Sequence, residues 1–374
     1  MSLLKDLASH GQAVWLDFVD RKFLEAGGLK KLVEEDGLTG VTSNPSIFEK
    51  AMGYGDAYDA TLAEFDKQHP GAATMDRYEA LAIQDIQAAA ETLAPVYEAT
   101  QAKDGYVSLE VSPYLASDTD ATIAEAQKLW AAVDRPNLMI KIPGTPAGVP
   151  AIAATIAAGI NVNVTLLFSN SAYQAVALAY VEGLEQRVEQ GLPIDRIASV
   201  ASFFVSRIDS KIDDKIDARI KAGDPESEAL KAIRGKVAIA NAKLAYDWFL
   251  EFNKSARWQA LAAKGAQVQR LLWASTGTKN PDYPDTLYLD ELIGPDTVNT
   301  VPPKTMDAFR DHGTPANTLG TNIAGARHVL SEAERLGLDL DGVTETLVEE
   351  GVASFSKAFD DLLGAIAKKQ PADA

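Results

Sequence analysis

The sequence predicts an α/β protein built as a single (β/α)8 barrel, or TIM barrel, with extra helices. Eight short strand patterns follow one another along the chain, and helical patterns separate nearly all of them. This alternation is typical of parallel strands joined by helical crossovers. In several strands one face is apolar and the other is polar, whereas strands of an open doubly wound sheet are normally apolar on both faces. A closed barrel explains the pattern, because one face meets the helices and the other points inward.

The first half of the chain contains four predicted strands. Alternate side chains of a strand share a face, so Val14, Leu16 and Phe18 lie together in the first strand and leave Asp17 on the opposite side. Long helical patterns form an insertion between the second and third strands. The predicted strands are 14–18, 38–42, 106–111 and 138–142, and the predicted helices are 21–35, 57–68, 75–102 and 120–133.

The second half repeats the alternation and ends in helices. Asn161, Asn163 and Thr165 share one face of the fifth strand, and Val162, Val164 and Leu166 share the other. We find no linker or shift in composition, so residues 1–374 are expected to form one barrel domain with a helical C-terminal extension and a disordered tail over 370–374. The predicted strands are 161–165, 197–202, 270–275 and 297–301, and the predicted helices are 150–158, 170–190, 205–222, 227–263, 323–336 and 343–368.

Composition excludes several classes of function. The net charge of −18 argues against nucleic-acid binding, which needs a basic surface. No run approaches the roughly 20 apolar residues that span a bilayer, so no membrane association is expected. The start of the sequence lacks the basic and apolar regions of a secretory signal, which together with the absence of cysteine favours a cytoplasmic protein.

The sequence also offers no pattern for a metal or nucleotide cofactor. The four histidines are scattered without ligand spacing, and neither a GxGxxG segment after a strand nor a P-loop is present. We therefore expect no cofactor and no metal site. Either a monomer or a homodimer is compatible with the sequence.

The strongest chemical signal is Lys141, which lies in the apolar run of the fourth strand before Pro143 and Gly144. An ammonium group among apolar neighbours is costly, so burial favours the neutral amine. A neutral amine at a strand end is a candidate nucleophile towards a carbonyl carbon, with which it forms a Schiff base. Alone, the lysine is more typical of a structural residue at the mouth of a sheet, paired with a carboxylate or extending to water, and only the rest of the chain favours the nucleophile.

Four further polar residues lie at the ends of neighbouring strands and strengthen the catalytic interpretation. Asp17, Asn44, Glu110 and Thr165 follow or end strands one, two, three and five, and catalytic groups of such barrels lie at the carboxyl ends of strands. The set fits one mechanism. An amine attacks a ketone, a carboxylate and a water move protons during imine formation, and a second carboxylate deprotonates the substrate hydroxyl beside the bond that breaks.

Four segments of the chain resemble the transaldolase family. They are VTSNPS at 41–46, IKIP at 140–143, NVTLLFS at 163–169 and VASFFVSR at 200–207, and the match runs in consistent order from about residue 14 to residue 301. The resemblance implies the same barrel and a reaction of the pentose phosphate pathway. In that reaction a dihydroxyacetone unit moves from fructose 6-phosphate or sedoheptulose 7-phosphate to an aldose phosphate, so phosphorylated sugars are the expected partners.

The resemblance also implies roles for individual residues. Lys141 is the implied Schiff-base nucleophile. Glu110 acts through a water molecule, together with Thr165, and Asp17 is the acid/base at the C4 hydroxyl. The dihydroxyacetone part of the substrate contacts two further residues, Asn44 and Ser202.

An anionic substrate needs local positive charge in this acidic protein. Arg207 stands at the predicted start of the helix after strand six, where a guanidinium and a helix N-terminus both suit a phosphate group. Ser275 and Lys279 follow strand seven. Better-known members of the family carry an arginine close to this serine. Because Lys279 comes later and is a point charge, its equivalence to that arginine stays open.

Two alternatives remain at the level of sequence. A fructose-6-phosphate aldolase shares the lysine chemistry but releases free dihydroxyacetone. A non-catalytic barrel that binds sugar phosphates is the other alternative, although binding alone needs no buried lysine.

Overall fold

Eight parallel strands close into a barrel in the computed structural model of this chain, which describes residues 2–369. The strands pair in sequence order, and β8 closes the barrel against β1, so the predicted (β/α)8 fold is confirmed. The predicted tail over 370–374 lies outside the described residues. The strands are β1 (Gln12–Leu16), β2 (Gly40–Val41), β3 (Tyr106–Glu110), β4 (Leu138–Pro143), β5 (Val162–Leu167), β6 (Ser199–Phe204), β7 (Arg270–Ala274) and β8 (Thr297–Val301).

The described residues form seventeen α-helices, most of which surround the barrel. They are α1 (Leu3–Ser9), α2 (Arg21–Glu25), α3 (Gly28–Asp36), α4 (Pro45–Gly53), α5 (Asp59–Gln68), α6 (Thr74–Ala99), α7 (Thr119–Val133), α8 (Gly148–Ala157), α9 (Asn170–Glu189), α10 (Ser206–Lys221), α11 (Ser227–Ile233), α12 (Val237–Phe252), α13 (Ala256–Ala262), α14 (Leu287–Asp290), α15 (Pro303–His312), α16 (Ile323–Arg335) and α17 (Leu340–Lys368). No helix among the described residues is long and apolar enough to cross a membrane.

Two predicted helices are interrupted where the backbone turns left-handed. The stretch 21–35 divides into α2 and α3 at Gly27, which has φ +74°, and α11 is separated from α12 near Gly235, which has φ +69°. Glycine takes this conformation without the steric cost that a side chain adds, so it ends a helix readily. A single helix over 227–263 was therefore wrong, and α11, α12 and α13 occupy that stretch.

The fifth strand contains an irregularity that the alternation did not predict. The pairing of β5 with β6 shifts between Val164 and Leu167, and Leu166 has the left-handed φ of 59°. The expectation that Leu166 continues the apolar face of Val162 and Val164 was therefore wrong, because the bulge breaks the two-residue period.

The long C-terminal helix α17 packs against α4, α10 and the end of β5. A Cβ atom on Gly351 of α17 would lie only 2.8 Å from Leu166 Cδ2, so the helix reaches this close to the bulge only with glycine there. An ion pair of 2.6 Å between Lys211 of α10 and Glu350 also joins the two helices. The helix thereby brings Phe355 to the carboxyl ends of the strands.

Candidate active site

A cavity of about 400 Å³ opens at the carboxyl ends of the strands and gathers most of the residues that the sequence singled out. Eight of the nine line it directly, and the ninth, Glu110, contacts Lys141 from the side of β3. The eight are Asp17, Asn44, Lys141, Thr165, Ser202, Arg207, Ser275 and Lys279.

Lys141 is buried and is held by two oxygen atoms. Its Nζ lies 3.0 Å from Oε2 of Glu110 and donates a hydrogen bond of 3.1 Å to the backbone carbonyl of Ser43. Register explains the pair, because Glu110 on β3 lies directly beside Lys141 on β4. The ring of Phe355 covers the amine, with its centroid 5.6 Å from Nζ. The amine is therefore fixed between a carboxylate, a carbonyl and an aromatic face.

Asp17 lies one residue beyond the end of β1 and faces the same cavity. Its backbone N–H donates to Val301, and its Oδ1 accepts a hydrogen bond of 2.8 Å from the hydroxyl of Thr42. The carboxyl groups of Asp17 and Glu110 both lie close enough to Lys141 for its positive charge to lower their pKa values.

Burial changes the ionisation of both carboxylates. It raises the pKa of Asp17 and the pKa of Glu110, because each charged form loses contact with water. The ammonium group of Lys141 opposes the rise in both cases, and the hydrogen bond from Thr42 opposes it for Asp17. A raised pKa makes a carboxylate a stronger base, which favours the proton transfers of acid/base catalysis.

Asn44 is the N-cap of α4, which explains how its side chain is oriented. It is extended, it precedes Pro45, and its Oδ1 accepts a hydrogen bond of 3.0 Å from the N–H of Ile47. The oxygen is thereby occupied, so the amide nitrogen is left to donate into the cavity.

Ser202 and Thr165 contribute hydroxyl groups from β6 and β5. The hydroxyl of Ser202 donates a hydrogen bond of 2.7 Å to Oδ1 of Asn163. The amide nitrogen of Asn163 in turn donates a hydrogen bond of 3.0 Å to the hydroxyl of Ser108. Ser202 therefore presents its lone pairs to the cavity. Oγ1 of Thr165 is buried and has no hydrogen-bond partner among the described residues, so its capacity is free for a water molecule or substrate.

The predicted phosphate-binding residues come from α10 and the loop after β7. Arg207 is the second residue of α10, as predicted, and its guanidinium lies over the ring of Phe204, 5.2 Å from the centroid. Ser275 shares a hydrogen bond of 2.9 Å with Ser206, which ties the loop to the start of α10. Lys279 lies in the cavity wall and is near enough to act on the charge of Asp17.

Twelve further residues line the cavity, and the sequence analysis assigned none of them to the site; five of these bear on its chemistry. Thr42 and Thr300 end or follow β2 and β8, so the rule that selected Asp17 could have found them. Phe204 ends β6 within the segment 200–207 that was already singled out, whereas Lys50 lies on α4, beyond the segment 41–46. Phe355 has no local signal, since only the packing of α17 brings it here.

The arrangement supports chemistry on a phosphorylated carbonyl compound. A buried amine, the carboxylate of Asp17 and several hydroxyl groups face one space, and cationic side chains line the same cavity. The second carboxylate, Glu110, contacts the amine from beside this space. Among the described residues, no group of three or more His, Asp or Glu side chains lies in a position to hold a metal ion.

Comparisons with known proteins identify the family of this chain. Residues 14–366 match the family described as Transaldolase/Fructose-6-phosphate aldolase. A transaldolase of Trichodesmium erythraeum is 48% identical over 370 residues, which cover 98% of this chain and 97% of that protein. A transaldolase of Thermobifida fusca is 49% identical over 369 residues, covering 98% of each chain. Both relatives match along nearly their whole length.

Proposed function

Because the chain belongs to the transaldolase/fructose-6-phosphate aldolase family, we propose that Lys141 is the Schiff-base nucleophile of a transaldolase. The enzyme transfers a dihydroxyacetone unit from sedoheptulose 7-phosphate or fructose 6-phosphate to glyceraldehyde 3-phosphate or erythrose 4-phosphate. This reaction belongs to the pentose phosphate pathway. The observation that carries the catalytic assignment is the buried amine of Lys141, which lies 3.0 Å from Glu110 in the cavity that Asp17 also lines.

In the first step, Lys141 gives one proton to the neighbouring Glu110, and the resulting neutral amine attacks the C2 carbonyl of the donor sugar and forms a carbinolamine. Loss of water then gives the iminium ion. Glu110 acts through a water molecule near Thr165, whose free hydroxyl can hold that water, and carries the protons that these steps exchange. Glu110 suits this role because its pKa is raised by burial and its carboxyl group touches the amine.

In the second step, the bond between C3 and C4 breaks. Asp17 takes the proton of the C4 hydroxyl, the aldose phosphate leaves with a new carbonyl at C4, and the iminium nitrogen receives the electron pair as an enamine. The acceptor aldehyde then adds by the reverse sequence, with Asp17 returning the proton. Asn44 and Ser202 hold the hydroxyl groups of the three-carbon unit from opposite walls.

Positive charge at the cavity holds the phosphate group of each sugar. Arg207 binds it at the start of α10, where the positive end of the helix dipole adds to the attraction. Ser275 and Lys279 contribute from the loop after β7. We also propose that residues 1–374 act as one domain and that the enzyme works in the cytoplasm, as the sequence predicts.

Reductive trapping tests the nucleophile. Purified protein is incubated with fructose 6-phosphate and borohydride, digested, and analysed by mass spectrometry. We expect the peptide containing Lys141 to gain a reduced dihydroxyacetone unit. Lys243 is the matched control, because it is also buried and paired with a carboxylate, at 3.3 Å from Glu291, but lies outside the cavity. An unmodified Lys141, or equal labelling of Lys243, would remove the assignment.

A coupled assay separates transfer from aldol cleavage. Glyceraldehyde 3-phosphate formation from fructose 6-phosphate is measured with and without erythrose 4-phosphate. A transaldolase needs the acceptor for steady turnover, so we expect rapid turnover only when it is present. Equal rates without the acceptor, with free dihydroxyacetone accumulating, would instead indicate an aldolase.

A further inference from the structure

A chain of hydroxyl groups links three neighbouring strands at the mouth of the barrel. Thr300 Oγ1 of β8 lies 2.6 Å from Thr42 Oγ1, and Thr42 Oγ1 lies 2.8 Å from Asp17 Oδ1. Both threonines are buried, with exposed fractions of 2% for Thr42 and 4% for Thr300. Closure of the barrel explains the arrangement, because β1 lies between β8 and β2, and Asp17 directly follows β1.

The number of hydroxyl protons determines the direction of the chain. Thr42 has one proton, and an ionised Asp17 has none to donate, so the Thr42 proton points to Asp17. The contact between the two threonines then requires Thr300 to donate to Thr42. Each donor polarises the next along such a chain, so the bond to the carboxylate is stronger than an isolated one.

We propose that Thr42 and Thr300 are positioning residues that orient the carboxylate of Asp17 for proton transfer at the substrate hydroxyl. The proposal rests on the role of Asp17 in the proposed function. Thr42 occupies Oδ1, and the described residues place no hydrogen bond on Oδ2, which is left to face the substrate. Thr300 never touches Asp17 in this arrangement and acts through Thr42.

Charged groups around Asp17 also act on its carboxylate, but none of them replaces the hydrogen bond from Thr42. Lys141, Arg207 and Lys279 act on Asp17 from β4, α10 and the loop after β7, and the negative charge of Glu110 acts from β3. None of these charged groups makes a hydrogen bond to Asp17, whereas Thr42 does. The hydrogen bond favours the charged carboxylate, so its loss raises the pKa of Asp17 further above its ordinary value.

Removal of each hydroxyl group at constant shape tests the proposal. We expect Thr42→Val to lower kcat by about tenfold, because a hydrogen bond to a charged group is lost, and to move the acidic limb of the kcat profile to higher pH. Thr300→Val should lower kcat and move the acidic limb in the same directions, by smaller amounts. Thr42→Ser restores the hydroxyl group and should return the rate and the pH profile close to those of the unchanged protein.

The matched control is Thr297→Val, on the same strand at the opposite end of the barrel. Thr297 is also buried and hydrogen-bonded, to Gly294 and Gln12, but is remote from the cavity. Its loss should lower thermal stability without shifting the pH profile.

The outcomes separate this proposal from the proposed function. If Asp17→Ala lowers kcat strongly but Thr42→Val and Thr300→Val leave the pH profile unchanged, the positioning role is wrong and the acid/base role stands. If Asp17→Ala leaves kcat unchanged, the acid/base role itself is wrong. If one valine variant does not fold, as circular dichroism would show, the other provides the same test. An unrestored profile in Thr42→Ser would also overturn the proposal.

Discussion

Replacing Lys141 with methionine should abolish turnover and make the stability of the protein depend on pH in a defined direction. Methionine preserves the length and most of the volume of the side chain but leaves Glu110 buried without its cation. At 3.0 Å and an effective dielectric constant of about 20, the lost attraction is about 5 kcal/mol. Since the variant no longer desolvates an ammonium group, the net loss should be smaller, on the order of 3 kcal/mol at pH 8.

The sign of the pH dependence follows from the raised pKa of Glu110. A carboxyl group whose pKa is higher in the folded than in the unfolded state contributes stability at low pH, and this contribution is lost as the pH rises through the folded-state pKa. Burial already raises the pKa of Glu110, and Lys141 limits the rise. In the Lys141→Met variant the pKa rises further, so the stability difference from the unchanged protein should grow between pH 5 and pH 8.

Urea unfolding followed by circular dichroism at pH 5 and pH 8 measures this difference. Lys243→Met is the matched control. Its partner Glu291 is 44% exposed in its side chain, so that variant should lose at most about 1 kcal/mol, with little change between the two pH values. Glu110→Gln added to Lys141→Met should recover most of the loss at pH 8. A loss that is equal at both pH values, or that shrinks as pH rises, would refute the reasoning.

The remaining predictions concern kinetics. Asp17→Ala should lower kcat by about a hundredfold or more with little change in KM, and the reverse pattern would contradict an acid/base role. Arg207→Ala should raise KM for phosphorylated acceptors by about tenfold or more while leaving KM for unphosphorylated glyceraldehyde unchanged; an equal rise for both would remove it from the phosphate site. Lys50→Ala and Lys279→Ala should show the same selectivity with smaller effects, of about two- to fivefold, since a lysine is a single point charge. If either lysine variant changes KM equally for phosphorylated acceptors and for glyceraldehyde, that lysine does not bind the phosphate group.

The barrel could be predicted because its strands carry two different kinds of face. Inward polar residues such as Asp17, Glu110 and Lys141 stand out against apolar neighbours. One rule, that catalytic groups lie at strand ends, selected Asp17 and Lys141, which line one cavity, and Glu110, which contacts Lys141 beside it. The same rule applied to β2 and β8 would have added Thr42 and Thr300. The division of the chain into domains and the roles of the site residues stay predictions.

Other features could not be read from local pattern. At the bulge in β5, Leu166 packs against Gly351 of α17, which is more than 180 residues away in the sequence. The position of Phe355 over the amine of Lys141 depends on the same docking of α17. A helical pattern predicts that a helix exists and which of its faces is apolar, but not which surface of the barrel receives it.

The distribution of charge explains how an acidic protein captures an anion. Most arginine and lysine side chains of a chain with net charge −18 are within reach of the abundant carboxylates, and many form ion pairs. Lys50, Arg207 and Lys279 line the cavity and have no carboxylate within ion-pair distance among residues 2–369. Burial lowers the pKa of Arg207, which means that holding this uncompensated cation costs folding free energy. A phosphate dianion supplies the missing charge, so substrate binding should stabilise the protein by an amount that grows with the logarithm of its affinity. Arg207→Ala should reduce that gain more than it changes the stability of the free protein.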